Sequence, residues 1–260
     1  MNLQNALRAL AATGLSLLVS ASFVSASQSK LDQIVATAYK AKGPETMRSA
    51  MTMSLIDAAG KQSDRRLQIR REGDSKQLVW FDAPANMRGT GFLRVAENGN
   101  EKMWLYLPAF KKLERIGAAD KKRPFLGSDF TYADMAPLDL NQYNATLLGQ
   151  DSYDGKPVYK LAFGLKSATY DTLYGKIVAY VDVDANRVLA EDLYDKTGDL
   201  IKKKTYSGYS TAGKYHIPTI IEITNVRRNH RTRLTLTDIV VNKKIAKRLF
   251  TTKYLQRQKK

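Results

Sequence analysis

Apolar and polar residues alternate with a period of two along most of this chain, and that period suits strands and little else. Met51, Met53 and Leu55 alternate with Thr52 and Ser54, and Leu67 and Ile69 alternate with Arg66, Gln68 and Arg70. Strand-like apolar runs return at 104–107, 158–163, 177–181 and 234–236. Successive side chains of a strand point to opposite faces, so alternation means one face buried and the other wet. Turn residues separate the runs. Asn98-Gly99 and Asp154-Gly155 are two-residue hairpin signals, and Asp184-Ala185-Asn186 and Lys196-Thr197-Gly198-Asp199 also read as hairpin turns. The expected fold is mainly β (α+β), an antiparallel sheet large enough to curl.

Two stretches break the rhythm. Leu31, Ile34, Val35 and Ala38 follow a helical spacing, which predicts an amphipathic helix from about Leu31 to Lys42. Ser29 and Asp32 have capping-box spacing, and Gly43-Pro44 ends the segment. This helix is the expected cover for the buried face. The second break lies between Ile116 and Asn141, a connection long enough to suggest a functional or lid-like role.

The beginning of the chain has the form of an export signal. Arg8 supplies a positive charge, residues 9–19 are mostly apolar, and small residues lead to Val24-Ser25-Ala26. Cleavage is expected between Ala26 and Ser27. The apolar run is shorter than the roughly 20 residues a bilayer span needs and is broken by Thr13, Gly14 and Ser16. The division expected is a signal peptide over 1–26 and a single domain over 27–260. Of 260 residues, 260 − 26 leaves 234, enough for a substantial core. That core has no covalent help: without Cys there is no disulfide, no thiol nucleophile, no thiolate metal site and no residue to acylate as a lipoprotein.

Net charge is +17, and loss of Arg8 leaves +16. From Arg227 to Lys260 there are twelve Lys or Arg against one acid, Asp238. Such a surface attracts polyanions. Export sets nucleic acid aside and leaves anionic phospholipid headgroups, lipopolysaccharide phosphates and acidic partner proteins. A solvated face that only aids solubility accounts for the charge equally well.

Little in the chain points to catalysis. His216 and His230 have no metal-ligand partners at suitable spacing, and Gly89-Thr90-Gly91 does not continue as a dinucleotide fingerprint. No Gly-x-Ser-x-Gly elbow is present. Asp129 and Asp134 share a loop and could be the carboxylate pair of a hydrolase. Capping, turn formation, or pairing of Asp129 with Arg115 or Arg123 explains them more simply. The expectation is no enzyme, no cofactor and no metal. Trp80, Phe81, Phe92, Met103, Trp104, Tyr106, Phe110, Phe125, Phe130 and Tyr132 crowd into about fifty residues and read mostly as core. A curled sheet covered by one helix can nevertheless leave an apolar hollow suited to acyl chains, and Met side chains adapt to variable ligands.

Phe81-Asp82-Ala83-Pro84, Met87-Arg88-Gly89-Thr90-Gly91, the run Met103 to Ala109, Leu113-Glu114-Arg115-Ile116 and the block Phe125 to Met135, in this order, resemble the outer-membrane lipoprotein-sorting family. These are LolA-like proteins, distinct from LolA itself. Tyr174-Gly175-Lys176, Val181-Asp182, Glu191, Tyr194-Asp195 and Asn225 fit as well. The resemblance implies a half-open, strongly curved antiparallel β-barrel of roughly eleven strands, with covering helices on its concave side, as in LolA and LolB. It implies a periplasmic, non-enzymatic carrier or chaperone of a Gram-negative bacterium, binding the acyl chains of lipoproteins or lipids.

On that reading Met87, Arg88, Phe92, Trp104, Tyr106 and Arg115 are candidates for the cavity or its mouth. Arg88 and Arg115 would meet a headgroup phosphate or a diacylglyceryl carbonyl. Phe125, Gly127, Asp129, Phe130, Tyr132 and Asp134 are candidates for a lid loop, or for a packed structural loop. A monomer is expected. The alternative is an accessory protein that docks on an inner-membrane lipid-exporting transporter through the basic C-terminal region, which is also the candidate contact for an anionic lipid surface.

Overall fold

In the computed structural model, which describes residues 27–257, the period-two segments become thirteen strands of one antiparallel sheet. β1 (Thr46–Ile56), β2 (Gln62–Glu72), β3 (Lys76–Ala83), β4 (Gly91–Glu97), β5 (Asn100–Leu107) and β6 (Lys112–Ile116) form one meander. β7 (Tyr143–Tyr153), β8 (Lys156–Leu165), β9 (Lys176–Asp182), β10 (Val188–Tyr194), β11 (Leu200–Ala212), β12 (Tyr215–Asn225) and β13 (His230–Val241) form a second. β1 pairs with β13 at the centre, which leaves β6 and β7 as the two edges. An open sheet with this many strands curls, and here it remains unclosed between β6 and β7. There are thirteen strands where the resemblance implies about eleven.

The hairpins are built by residues that tolerate left-handed backbone. Asn98 (φ 52°) and Gly99 (φ 74°) join Glu97 to its partner Asn100, and Asp154 (φ 50°) and Gly155 (φ 74°) do the same for Tyr153 and Lys156. A primed two-residue turn requires positive φ at both central positions, which Asn-Gly and Asp-Gly supply at low cost.

The topology explains the long connection. Residues 117–142 must carry the chain from one sheet edge to the other, and they do so as a strap across the inner face. Leu126 O accepts a hydrogen bond from Arg65 of β2 (2.7 Å), the Asp129 N–H donates to Thr232 of β13 (2.9 Å), and Asp134 meets Lys202 of β11 (3.5 Å). The helix α1, over residues 27–38, covers the rest of that face. Its Leu31, Ile34 and Val35 pack with Tyr159, Leu161, Phe163 and Ile177. The predicted helix is therefore present, but displaced. Ser29 lies inside it rather than at its cap, and Asp32 accepts from Gln28 Nε2 (3.0 Å). Apolar periodicity locates the buried stripe of a helix and leaves its ends undefined.

Helices cover less of the sheet than the resemblance implies. Beyond α1, the inner face is covered by the strap and its short 3-10 turns. The second helix, α2 (Thr252–Leu255), lies on the outer face, where Phe250 and Leu255 pack with Leu78, Trp80, Leu93 and Tyr106. β3 is thus buried on both sides, Val79 and Phe81 inward and Leu78 and Trp80 outward, which is why its sequence is a continuous apolar run. Among the described residues no helix is long and apolar enough to cross a membrane. The signal peptide read over 1–26, including Ala26 on the near side of the expected cleavage, lies outside the described residues.

Candidate functional site

β12 carries Ile217, Ile221 and Ile223 on one face, the face that pairs across register with Leu234 and Thr232 of β13. Ile223 is fully buried, whereas Ile221 and Ile217 are half-buried at the border of the inner cluster. With Met47 of β1, Leu236 of β13 and Ala38 from the end of α1, they wall a hollow of about 610 Å³. That volume falls in the range of roughly 300–1,000 Å³ typical of ligand sites. Its rim carries Lys42, Arg71, Arg187, Lys214 and His216, with Asp74 as its carboxylate. Burial lowers the pKa of the Arg71 guanidinium, an effect opposed by Asp74 at 3.1 Å and reinforced by Arg94.

A second hollow, of about 350 Å³, lies under the strap at β9–β11, and its lining includes Tyr39, Asp134, Tyr174, Glu191, Lys204 and Tyr206. Glu191 accepts from Tyr39, which directly follows α1 (3.0 Å), and from Tyr206 of β11 (2.9 Å), with Lys204 at 3.8 Å. Asp134 accepts from Tyr174 (2.9 Å) and from the Thr131 N–H (2.6 Å) and hydroxyl (2.8 Å), and Lys202 donates to Tyr174 (3.3 Å). The cluster ties the strap, α1 and the sheet together.

Burial, then the neighbouring carboxylates, raises the Tyr39, Tyr174 and Tyr206 phenols above the usual tyrosine range. Groups whose folded pKa is raised stabilise the fold fully below the unfolded value, about 10 for tyrosine, and lose that contribution as pH rises beyond it. Each contributes up to about 1.4 kcal/mol per pH unit in that window. Urea unfolding should therefore be flat from pH 7 to 9 and fall steeply above pH 10, less steeply in Tyr39→Phe. Equal slopes for the two proteins would refute this origin.

The residues expected to form one cavity are divided between faces. Phe92, Phe125, Phe130 and Tyr132 do gather, in the inner cluster, with Met87 at its border. Phe125 meets Phe92 edge-on at 5.3 Å and Tyr132 at 5.4 Å. Together they fill the concavity, and none of them lines either hollow. Trp104 and Tyr106 belong to the outer cluster under the C-terminal segment, because β5 turns Met103 and Leu105 inward and these two outward. That contact is close: a Cβ on Gly91, opposite Tyr106, would come within 2.7 Å of Leu255.

Arg115 is exposed on the edge strand opposite Trp104, and Arg88 is exposed with its Nε directed at Asp82 O (3.3 Å). Neither lines either of these two hollows. Gly127 lies beside Arg65 in the strap. Asp129 and Asp134 have separate partners: Asp129 pairs with His230 Nδ1 (2.6 Å) and Thr232 (2.7 Å), in place of Arg115 or Arg123. Arg71, Arg187, Lys214, Ile217, Ile221 and Leu236 are not among the site candidates that the sequence offers. The odd-numbered isoleucines of 217–223 were the one available signal there.

Known proteins agree with this architecture. A family model described only as an uncharacterized protein matches residues 73–257. An outer membrane lipoprotein-sorting protein domain from Vibrio parahaemolyticus is 28% identical, with a TM-score of 0.77 over 87% of this chain and 96% of its own. A DUF1329 family protein from Desulfovibrio piger is 24% identical, with a TM-score of 0.77 over 87% of this chain and 95% of its own. A LolA superfamily protein from Nitrosomonas europaea is 18% identical, with a TM-score of 0.68 over 88% of this chain and 98% of its own. The latter two bear on the fold alone. No curated protein matches the chain. The family model covers most of the chain, so this protein belongs to that uncharacterized family, and its curled sheet is the fold seen in the outer membrane lipoprotein-sorting domain.

Proposed function

We propose that the protein is an exported, periplasmic carrier that holds the acyl chains of a lipoprotein or lipid in the larger hollow, with no covalent step. The observation that carries this reading is the 610 Å³ hollow itself, apolar where Ile217, Ile221 and Leu236 line it and open at a polar rim. Burying acyl chain there gains about 0.8 kcal/mol per methylene, so a few turns of chain suffice for useful affinity. The mouth of the site is the rim at Arg71, Arg187 and Lys214, in place of Arg88 and Arg115.

Two measurements test the carrier. Solvent extraction of the mature protein purified from its host should yield lipid or acylated peptide by mass spectrometry. Ile221→Trp, which fills the hollow from a half-buried position, should weaken binding of a fluorescent fatty acid at least about tenfold while leaving the urea midpoint near that of the wild type. Unchanged binding in this variant would refute the site.

The docking alternative has its own observation. The segment after β13 packs inward through Phe250 and Leu255 while Lys243, Lys244, Lys247, Arg248, Lys253 and Arg257 stay exposed. An empty hollow together with a stable complex on an inner-membrane transporter would favour an accessory protein over a carrier.

A further inference from the structure

The two hollows differ in how their charges are balanced. In the smaller one every lining or adjoining lysine has a carboxylate: Lys121 with Glu101, Lys122 with Asp171, Lys202 with Asp134 and Lys204 with Glu191. At the larger one Lys42, Arg71, Arg187 and Lys214 face a single carboxylate, Asp74, which Arg71 engages. Among the described residues no carboxylate forms an ion pair with Lys42, Arg187 or Lys214. The rim thus holds an uncompensated positive charge directly above an apolar floor.

Arg187 adds a second observation. Its Nε is buried and has no hydrogen-bond partner, the one buried side-chain nitrogen or oxygen in that condition among the described residues. Buried donors are nearly always satisfied, so this N–H is a place where a bound group can supply the acceptor. The guanidinium is also held in place, stacked 4.0 Å over the Tyr209 ring, whose hydroxyl donates to Val188 O (2.9 Å). A fixed, planar, permanently charged fork with a free N–H is well suited to a carboxylate or phosphate.

We propose that the cargo is an anionic amphiphile: its acyl chain lies between Ile217, Ile221 and Leu236, and its carboxylate or phosphate headgroup is bound by Arg187, with Lys214 and Arg71 alongside. This rests on the carrier reading and narrows it. The acyl groups of a lipoprotein are joined through uncharged ester and amide links, which would leave the rim charge unused. A single-chain fatty acid or a phospholipid uses both parts of the site.

The test uses the delipidated mature protein and displacement of a fluorescent fatty acid by three ligands that share one oleoyl chain. These are oleate, oleoyl lysophosphatidylglycerol and uncharged monooleoylglycerol. At least one anionic ligand should bind about tenfold or more tightly than monooleoylglycerol, as one charge-assisted contact suffices for that ratio. Whichever anion wins identifies the headgroup as carboxylate or phosphate. Arg187→Gln, and independently the exposed Lys214→Gln, should reduce the anionic preference and leave monooleoylglycerol affinity unchanged. Equal binding of all three ligands overturns the headgroup assignment while the carrier stands. Binding of none overturns both. A preference that survives in both variants places the anion elsewhere and overturns the assignment.

Discussion

Phe125→Ala should lower the unfolding free energy by about 3–5 kcal/mol, the usual cost of removing a buried phenylalanine. The side chain is 1% exposed and sits among Phe81, Phe92 and Tyr132 at ring distances of 6.3, 5.3 and 5.4 Å. The backbone around it is also pinned. The Phe125 N–H donates to Phe130 O (2.7 Å), and Pro124 and Thr131 form an isolated bridge. A cavity cut at this point has little means of collapsing, because the strap is held at both ends of the turn. Urea unfolding measures the loss, and the acyl-binding assay should change little in the folded fraction, since Phe125 lines neither hollow. A cost below about 1 kcal/mol would show the strap to be loosely held, and the lid role would then return.

Asp134→Ala should be destabilising on a similar scale, about 3–5 kcal/mol, since removing one partner of a buried pair strands the other. Asp134 and Lys202 are only 8% and 7% exposed as side chains. Besides the lysine, the Thr131 N–H, the Thr131 hydroxyl and the Tyr174 hydroxyl would all lose their acceptor. Lys202→Met should cost less, because Asp134 keeps those three donors and the lysine contact is the longest of the set, at 3.5 Å. The double variant should be closer to Lys202→Met than to the sum of the two singles. Calorimetry or urea titration of the four proteins reads the cycle. The outcome also bears on chemistry. A hydrolase using Asp129 and Asp134 would lose its cellular phenotype in Asp129→Asn with Asp134→Asn while staying folded. A structural pair would lose stability first.

Much of the sheet was legible from short-range chemistry. Asn98-Gly99 and Asp154-Gly155 mark hairpins because positive φ is a local requirement, and Met51-Thr52-Met53-Ser54-Leu55 marks a half-buried strand because the pleat has period two. The same logic found α1 from Leu31, Ile34, Val35 and Ala38, four residues off at either end. Trp104 and Tyr106 were misplaced because alternation separates two faces without saying which is inner. Here the outer face of β5 is buried as well, beneath a C-terminal segment more than 140 residues away in sequence.

The candidate site was largely invisible for a related reason. Tyr39 and Glu191 are 152 residues apart, and Asp129 and His230 are 101 apart. Nothing in the spacing of such pairs distinguishes them from any other two residues of the chain. Arg187, Lys214 and Arg71 line one hollow only because β1 pairs with β13, which brings the ends of two separate meanders around it.

Local residue patterns, then, were sufficient for strand, turn and helix, because backbone preference and amphipathic period act over a few residues. The resemblance carried by the Phe81 to Met135 motifs was sufficient for the family. Which apolar face is filled by the strap, and where the sheet leaves an open hollow ringed by cations, followed from the pairing of distant strands and the route of the 117–142 connection between the two edges. The strap contacts join residues 61 to 103 positions apart, a range over which neither propensity nor periodicity carries information.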